Sequence, residues 1–316
     1  MELFLSTLNQ MGFLFLLIVV GYVLRKSKAI PDNTATVLSK LEGNVFVPAL
    51  VLGTFMNNFT VKSFSNAGKF LLGGAIAVAI SIFAAIIVSR AWSKDRYICN
   101  LFTYGLSFSN SGYVGNAVVM AIFPAMFANY LIFTIPFSFM IYAWGVPMLL
   151  MPAAKDKKGM AGRLKAFVNP MFIAMFIGII VGISTLGTKL PDFVSNSVST
   201  LGSCMSPVAM LLTGITVAET DLKKMLGNLS VYIVTAVRLL AFPLAAIGIL
   251  AFISVPYPIA LCTVCVMAMP LGLNAIVIPK AYGLDSTVAS GMALISHTLS
   301  CITIPFVFML FDILIK

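Results

Sequence analysis

Two stretches of this chain put helix-breaking residues and an amide side chain inside long apolar runs. One is Ser109-Asn110-Ser111-Gly112-Tyr113-Val114-Gly115-Asn116. The other is Met269-Pro270-Leu271-Gly272-Leu273-Asn274. Gly112 and Gly115 loosen the first helix, and Pro270 and Gly272 break the second. Each break frees backbone N–H and C=O groups that hydrocarbon cannot satisfy, so they must face protein, water or a ligand. A helix that restarts after a break offers partial positive charge and free N–H groups, which suits a carboxylate. Asn110, Asn116 and Asn274 add donors without a fixed charge, and Ser109 and Ser111 stand beside them. The expected chemistry is the binding of an anion by Asn110, Ser111, Gly112, Gly115, Asn116, Pro270, Gly272 and Asn274. Taken singly, such a glycine or proline reads as a kink or a close helix contact. The same elements in two places favour the binding reading.

Among the ionisable residues within apolar runs, Arg238, Glu42 and His297 could carry chemistry. Arg238 lies about ten residues into its run, about 15 Å by helix rise. It must snorkel, face a cavity or find a partner. It is expected either to raise the local anion concentration or to pair with Glu42. Glu42 itself reads first as a near-interface residue and second as a proton carrier. His297 is the single histidine. Its titration range suits proton coupling, although a lone histidine is more often packed and hydrogen-bonded. Glu219 and Asp221, beside Lys223 and Lys224, read as a solvated helix end.

Other chemistry finds no support. Cys262-x-x-Cys265 is the one suggestive cysteine spacing, and it has no histidine or second cysteine pair at ligand spacing. No phosphate-binding loop, H-E-x-x-H or G-x-S-x-G occurs. No metal, cofactor or catalysis is expected, and neither H⁺ nor Na⁺ is favoured as a coupling ion.

The elements that must carry these residues are membrane helices. Of 316 residues, 60% are hydrophobic and 9% charged, against about a quarter charged in a soluble domain. Crossing the hydrocarbon core takes about 20 apolar residues. Ten runs qualify, near 6–24, 34–57, 67–89, 97–122, 128–151, 168–187, 193–217, 229–253, 257–280 and 286–314. Period-two alternation is absent, so a membrane barrel is not supported. The first run reads as a retained span rather than a signal peptide. The five cysteines all lie in or beside apolar runs, so no disulfide framework is expected.

The net charge of +10 does not indicate nucleic acid, because the basic residues sit in short loops between apolar runs. With the first connection in the cytoplasm, fifteen of the 20 basic residues fall on that side. They include Arg25, Lys26, Arg90, Arg96, Lys157, Arg163 and Lys224. The bias predicts a multi-pass protein of the cell (inner) membrane with both termini outside.

The two halves look related. Ala29-Ile30-Pro31-Asp32 matches Lys189-Leu190-Pro191-Asp192, Pro48 matches Pro207, Asn116 matches Asn274, and Pro147 matches Pro305. The near-constant offset predicts a first repeat at 1–151, a short cytoplasmic loop at 152–167 and a second repeat at 168–316. Five spans per repeat invert the second half relative to the first, which is a transporter architecture.

These residues also carry a family resemblance over nearly the whole chain. Asn44-Val45-Phe46-Val47-Pro48-Ala49-Leu50, Ser109 through Asn116, Gly214-Ile215-Thr216-Val217-Ala218, Arg238-Leu239-Leu240-Ala241-Phe242-Pro243 and Pro270 through Tyr282 resemble the short bacterial members of the auxin efflux carrier family. The resemblance implies a bile-acid-transporter-like, all-α fold of ten spans in which spans 4 and 9 are broken and cross. It implies a scaffold of spans 1, 2, 6 and 7, a transport core of spans 3–5 and 8–10, and a homodimer formed through the scaffold. It implies small carboxylate substrates such as malate or malonate, held by asparagines that map to Asn116 and Asn274. The long central loop of plant members is missing, and no proline stands at position 117.

The expected function is alternating-access transport of mono- or dicarboxylates, with the lipid bilayer and a second copy as partners. A sodium-coupled symporter of the bile-acid type is the alternative within transport. A membrane sensor that binds without translocating is the alternative outside it. A channel is disfavoured, because no ring of charged or filter residues is visible.

Overall fold

The computed structural model describes residues 2–58, 61–150, 170–184, 190–219, 227, 229–281, 284–285 and 287–315. The expected cytoplasmic loop 152–167 and Asp221, Lys223 and Lys224 lie outside the described residues. The described residues are helical throughout, with one isolated pair of extended residues, Ser109 and Leu271. In chain order the helices are α1 (Glu2–Lys26), α2 (Thr34–Leu41), α3 (Val47–Asn58), α4 (Val61–Trp92), α5 (Arg96–Ser107), α6 (Asn116–Ile122) and α7 (Phe127–Met140). There follow α8 (Pro170–Ile183), α9 (Asp192–Ser203), α10 (Met205–Ala218), α11 (Leu229–Ala236), α12 (Phe242–Phe252), α13 (Tyr257–Ala268), α14 (Asn274–Ala281) and α15 (Thr287–Ile315). Widened π-type turns at Glu42–Phe46, Ser111–Gly115, Ile141–Leu150 and Val237–Ala241 join or extend them.

Six of these helical stretches are long and apolar enough to cross a membrane, and seven if the pair 124–140 and 143–150, bent by 41°, is one span. The other expected runs appear as shorter apolar helices: Pro170–Ile183, Ser111–Ile122 and Tyr257–Ala268. The last two belong to the runs that break, so each continuous piece is too short to span alone. The chain is an all-α, multi-pass membrane protein.

The faces of α4 show the solvent it is built for. Leu72, Ile76, Ile80, Phe83 and Ile87 are exposed at helical spacing, while Ser81 and Ser89 are buried. A water-soluble helix would reverse that pattern. Inside, the hydroxyls satisfy backbone: Ser81 Oγ donates to Ser107 O at 3.1 Å, and Ser89 Oγ donates to Ala85 O at 2.7 Å. Helices pack through small residues that let backbones approach, as expected where lipid gives no hydrophobic drive. A Cβ at Gly21 would strike Leu211 O, and one at Gly214 would strike Ile18 O, so α1 and α10 lie backbone to backbone. Gly74 does the same for α4 against Phe133 O of α7. Gly202 lies against Leu50, and Gly53 against Val198, which sets α9 antiparallel to α3.

At the end of α1, Lys28 adopts a left-handed conformation (φ 58°) and Ala29 N donates back to Leu24 O at 3.2 Å, which closes the helix. Arg25 bridges this turn to Asp32 at 2.5 Å and to Glu219 at 3.3 Å. Glu219 is therefore paired, which corrects its reading as part of a merely solvated helix end. Asp95 caps α5 by accepting from Ile98 N at 2.9 Å.

Candidate functional site

The two broken runs meet in the interior. The first leaves helix after Ser107, is extended at Phe108 and Ser109, and re-enters helix at Ser111. The second leaves helix after Ala268 and resumes at Asn274. They cross at the Ser109–Leu271 bridge, where Asn110 N donates to Pro270 O at 2.8 Å. Leu271 N donates to Ser296 Oγ of α15 at 3.2 Å. The joint is made of main-chain groups that the breaks set free, which is how irregular backbone survives inside a membrane protein.

Arg238 occupies the other side of the crossing. It is 2% exposed, on the wide turn between α11 and α12. Its Nη1 donates to Leu106 O at 2.8 Å, its Nη2 to Val266 O at 2.9 Å and its Nε to Met269 O at 3.2 Å. These carbonyls end α5 and α13. One guanidinium thus satisfies the C-terminal carbonyls of both half-helices and offsets their partial negative charge. The fork of donors on arginine makes this possible where a lysine could not. The expected pairing of Arg238 with Glu42 does not form, because these donors are committed to the three carbonyls. Both carboxylate oxygens of Glu42 are enclosed without a hydrogen-bond partner. Glu42 is 0% exposed, enclosed within the protein.

The half-helix beginning at Ser111 is held from several sides. Asn110 caps it, its Oδ1 accepting from Tyr113 N at 3.3 Å. His297 Nδ1 lies 2.7 Å from Ala293 O, which can only accept, so Nδ1 carries the hydrogen. Nε2 is then the acceptor for Asn110 Nδ2 at 3.1 Å. His297, 3% exposed, therefore fixes which way the Asn110 amide points. Tyr130 Oη donates to Ser111 O at 3.0 Å. A Cβ on Gly115 would strike that same hydroxyl, so the glycine makes room for the tyrosine.

A cavity of about 240 Å³ opens beside the crossing. Its polar end is formed by Ser109, Asn110, Ser111, Gly112, Asn116, Gly272 and Asn274. Its walls are Val47, Val51 and Phe55 of α3, Leu131, Thr134, Ile135 and Ser138 of α7, and Met171 and Met175 of α8. Among the described residues, no charged side chain lines it. Six of the eight residues expected to bind are thus brought together. Gly115 and Pro270 are not in the lining: Gly115 packs on Tyr130, and Pro270 supplies the carbonyl of the joint. Arg238 and His297 stand behind the polar end, and Glu42 lies next to Gly43, which lines the cavity.

Tyr130 and Ser296 escape a reading of the sequence. A phenol inside a span must find an acceptor, and that requirement is the one signal that would have singled out Tyr130. Ser296 has no such signal. Among the described residues no three His, Cys, Asp or Glu side chains are grouped to hold a metal ion.

What this arrangement can do is bind a small anion with peptide dipoles and amides at one end and apolar walls around the rest. Comparison with known proteins fits that setting. The pattern of the family described as "Membrane transport protein" matches residues 6–308. An "Uncharacterized transporter" of Methanothermobacter thermautotrophicus is 22% identical over 311 residues, covering 96% of this chain and 98% of that protein. A match of that extent, with the motifs that carry the resemblance inside it, places the chain in the auxin efflux carrier (membrane transport protein) family, as a transporter and not an enzyme.

Proposed function

We propose that the protein moves small organic anions, mono- or dicarboxylates such as malate or malonate, across the cell membrane by alternating access. The observation that carries this reading is the uncharged polar end of the cavity at the crossing of two broken spans. There Asn110, Ser111 and Asn274 sit at the N-terminal ends of half-helices, with Asn116 one turn inside, while Arg238 occupies the C-terminal ends. Tying up the carbonyl ends leaves the positive ends of the dipoles facing the cavity, so an anion is favoured over a cation.

In this reading ten spans form two inverted repeats, 1–151 and 168–316, with both termini outside. Spans 1, 2, 6 and 7 form a scaffold through which two copies pair, and spans 3–5 and 8–10 carry the site past it. The close packing of α1 on α10 and of α3 on α8 and α9 supports the first group. Volume favours a small substrate, since 240 Å³ lies below the usual range of about 300–1,000 Å³ for ligand pockets.

Uptake of labelled malate, malonate or lactate into proteoliposomes tests the reading. Saturable uptake is expected, cut at least about tenfold, a loss of about 1.4 kcal/mol, by Asn116→Ala combined with Asn274→Ala. Unchanged flux and binding in that double variant would refute the site. Saturable binding without flux would make the protein a sensor instead. Single cysteines placed by Lys28→Cys and Lys157→Cys and labelled by thiol reagents from opposite sides would refute the topology.

A further inference from the structure

We infer that Glu42 is the proton-binding group of this transporter, taking up one proton with each anion and releasing it on the far side. The inference rests on the transport reading above and adds the coupling ion to it.

Among the described residues Glu42 and Arg238 are the two buried members of the Asp, Glu, Lys and Arg set. Arg238 spends its donors on three carbonyls, whereas both oxygens of Glu42 are enclosed without a partner. Native interiors rarely leave such a group unexplained. An ionised carboxylate so placed costs several kcal/mol, and the neutral acid costs far less. The enclosed form therefore holds a proton.

Among the described residues, the elements packed around it bring no other cation to it. The wide turn Glu42–Phe46 packs against α2, α3, α8, α9 and α10. Neither α3, α8 nor α10 contains a titratable or charged residue. Lys40 of α2 is exposed. Asp192 of α9 lies at the far end: α9 runs antiparallel to α3, so moving from Leu50 toward Glu42 leads from Gly202 toward α10 and away from Asp192. Cys204, between α9 and α10, is half-buried. Glu219, beyond α10, is paired with Arg25, which also holds Asp32. A metal cation needs several oxygen ligands, and α8 brings only Pro, Met, Phe, Ile, Ala, Gly and Val side chains to this place. A proton needs one.

Position links the group to transport. Gly43, the next residue, and Val47, one turn on, line the anion cavity. Their helix belongs to the part past which the site moves, so the change that opens the cavity to one side also uncovers Glu42. An O–H bond forms on a carboxylate oxygen with a proton from one aqueous side and breaks to the other. No other bond changes, and one proton accompanies each anion, so a monoanion crosses without net charge. Wide turns of this kind recur at functional positions because the extra residue re-aims side chains.

The test uses the full-length protein in liposomes with a pH dye inside, the potential clamped and labelled malate as probe. Malate entry should acidify the lumen, and one pH unit should sustain about tenfold accumulation at one proton per anion. Glu42→Gln should lose both effects while malate–malate exchange remains measurable. Glu42→Asp should keep coupling with a displaced pH optimum. Acidification that persists in Glu42→Gln, or accumulation that follows a Na⁺ gradient at equal pH, would overturn the assignment. Infrared difference spectra of the protein without substrate give an independent readout. The carbonyl stretch of a protonated carboxylic acid should be present at neutral pH and vanish in Glu42→Gln, and a spectrum unchanged by the substitution would overturn the assignment. If none of malate, malonate or lactate enters, the anion-transport reading fails, and the infrared band still decides whether Glu42 holds a proton.

Discussion

The first broken run is already winding as a π turn at Ser111–Gly115, where the second, at the matching offset, is still outside helix from Met269 to Leu273 and turns only at Gly272 and Leu273. The two runs, alike in their breakers and asparagines, have two different local structures. In the first, Asn110 caps the new helix, Tyr130 holds Ser111 O, and His297 orients the Asn110 amide. Around the second, the stretch is held by the bridge to Ser109, by Ser296 and by Arg238 at Met269 O. Consequently Asn116 sits a full turn inside its half-helix and is buried, whereas Asn274 heads its own and is half-buried. In the first half side chains cap and wedge the new helix, whereas in the second every hold is on a main-chain group, from the Ser109 bridge, Ser296 and Arg238.

That contrast is broken most severely at Arg238, which serves both halves. Arg238→Met should strand Val266 O and Met269 O, leave Leu106 O with only the longer bond from Ser81 Oγ, and cost about 3 kcal/mol or more, read as a lower melting temperature in detergent. Arg238→Lys should recover only part of it, since an ammonium cannot match the fork. A wild-type melt for Arg238→Met would remove the double cap.

Next comes the steric test of the locked half. Gly115→Ala forces a Cβ onto the Tyr130 hydroxyl and should cost about 1–3 kcal/mol. Tyr130→Phe alone should cost about 1 kcal/mol for its bond to Ser111 O. The combination should cost less than the two summed, because the clash disappears with the hydroxyl. Additive losses in a double-mutant cycle of melts would mean that Gly115 and Tyr130 do not meet.

A smaller effect is expected at His297. His297→Phe releases the Asn110 amide and should weaken anion binding about threefold to tenfold, up to about 1.4 kcal/mol, with His297→Gln nearer wild type because it retains an acceptor. Ligand-induced thermal shifts with malate would measure this. Equal affinities for all three proteins would show that Asn110 needs no orientation.

The smallest effect belongs to the main-chain half. A Cβ on Gly272 would approach Phe108 O and Ser109 O no closer than 3.5 Å, an ordinary contact. Gly272→Ala should change stability by less than about 0.5 kcal/mol. A loss as large as that of Gly115→Ala would erase the distinction between the halves.

Much of this was legible from the sequence, and the reasons differ by residue. Gly112, Pro270 and the asparagines stand out because breakers and amides are conspicuous in apolar runs, and local chemistry alone predicts what they do. The helical, membrane-embedded character follows from composition for the same reason. Arg238 was visible as a charge that needs a partner, but its partners are carbonyls 28 to 132 residues away. Carbonyls have no sequence signature, so the expected carboxylate partner was the wrong kind of group. The enclosure of Glu42 has no local signal, since exposed Lys40 stands two residues before it. The helix turns the two apart, with Lys40 outward and Glu42 inward. The wide turns escaped because an extra residue in a helix leaves the apolar pattern almost unchanged.

The hydrogen bond from Asn110 N to Pro270 O asks nothing of either residue's side chain, except that a proline cannot replace Asn110. Neighbouring positions are therefore free to change without unfastening the crossing. Descendants of such a protein could exchange the groups that touch the cargo one at a time, trying new solutes while the frame that carries them stays intact.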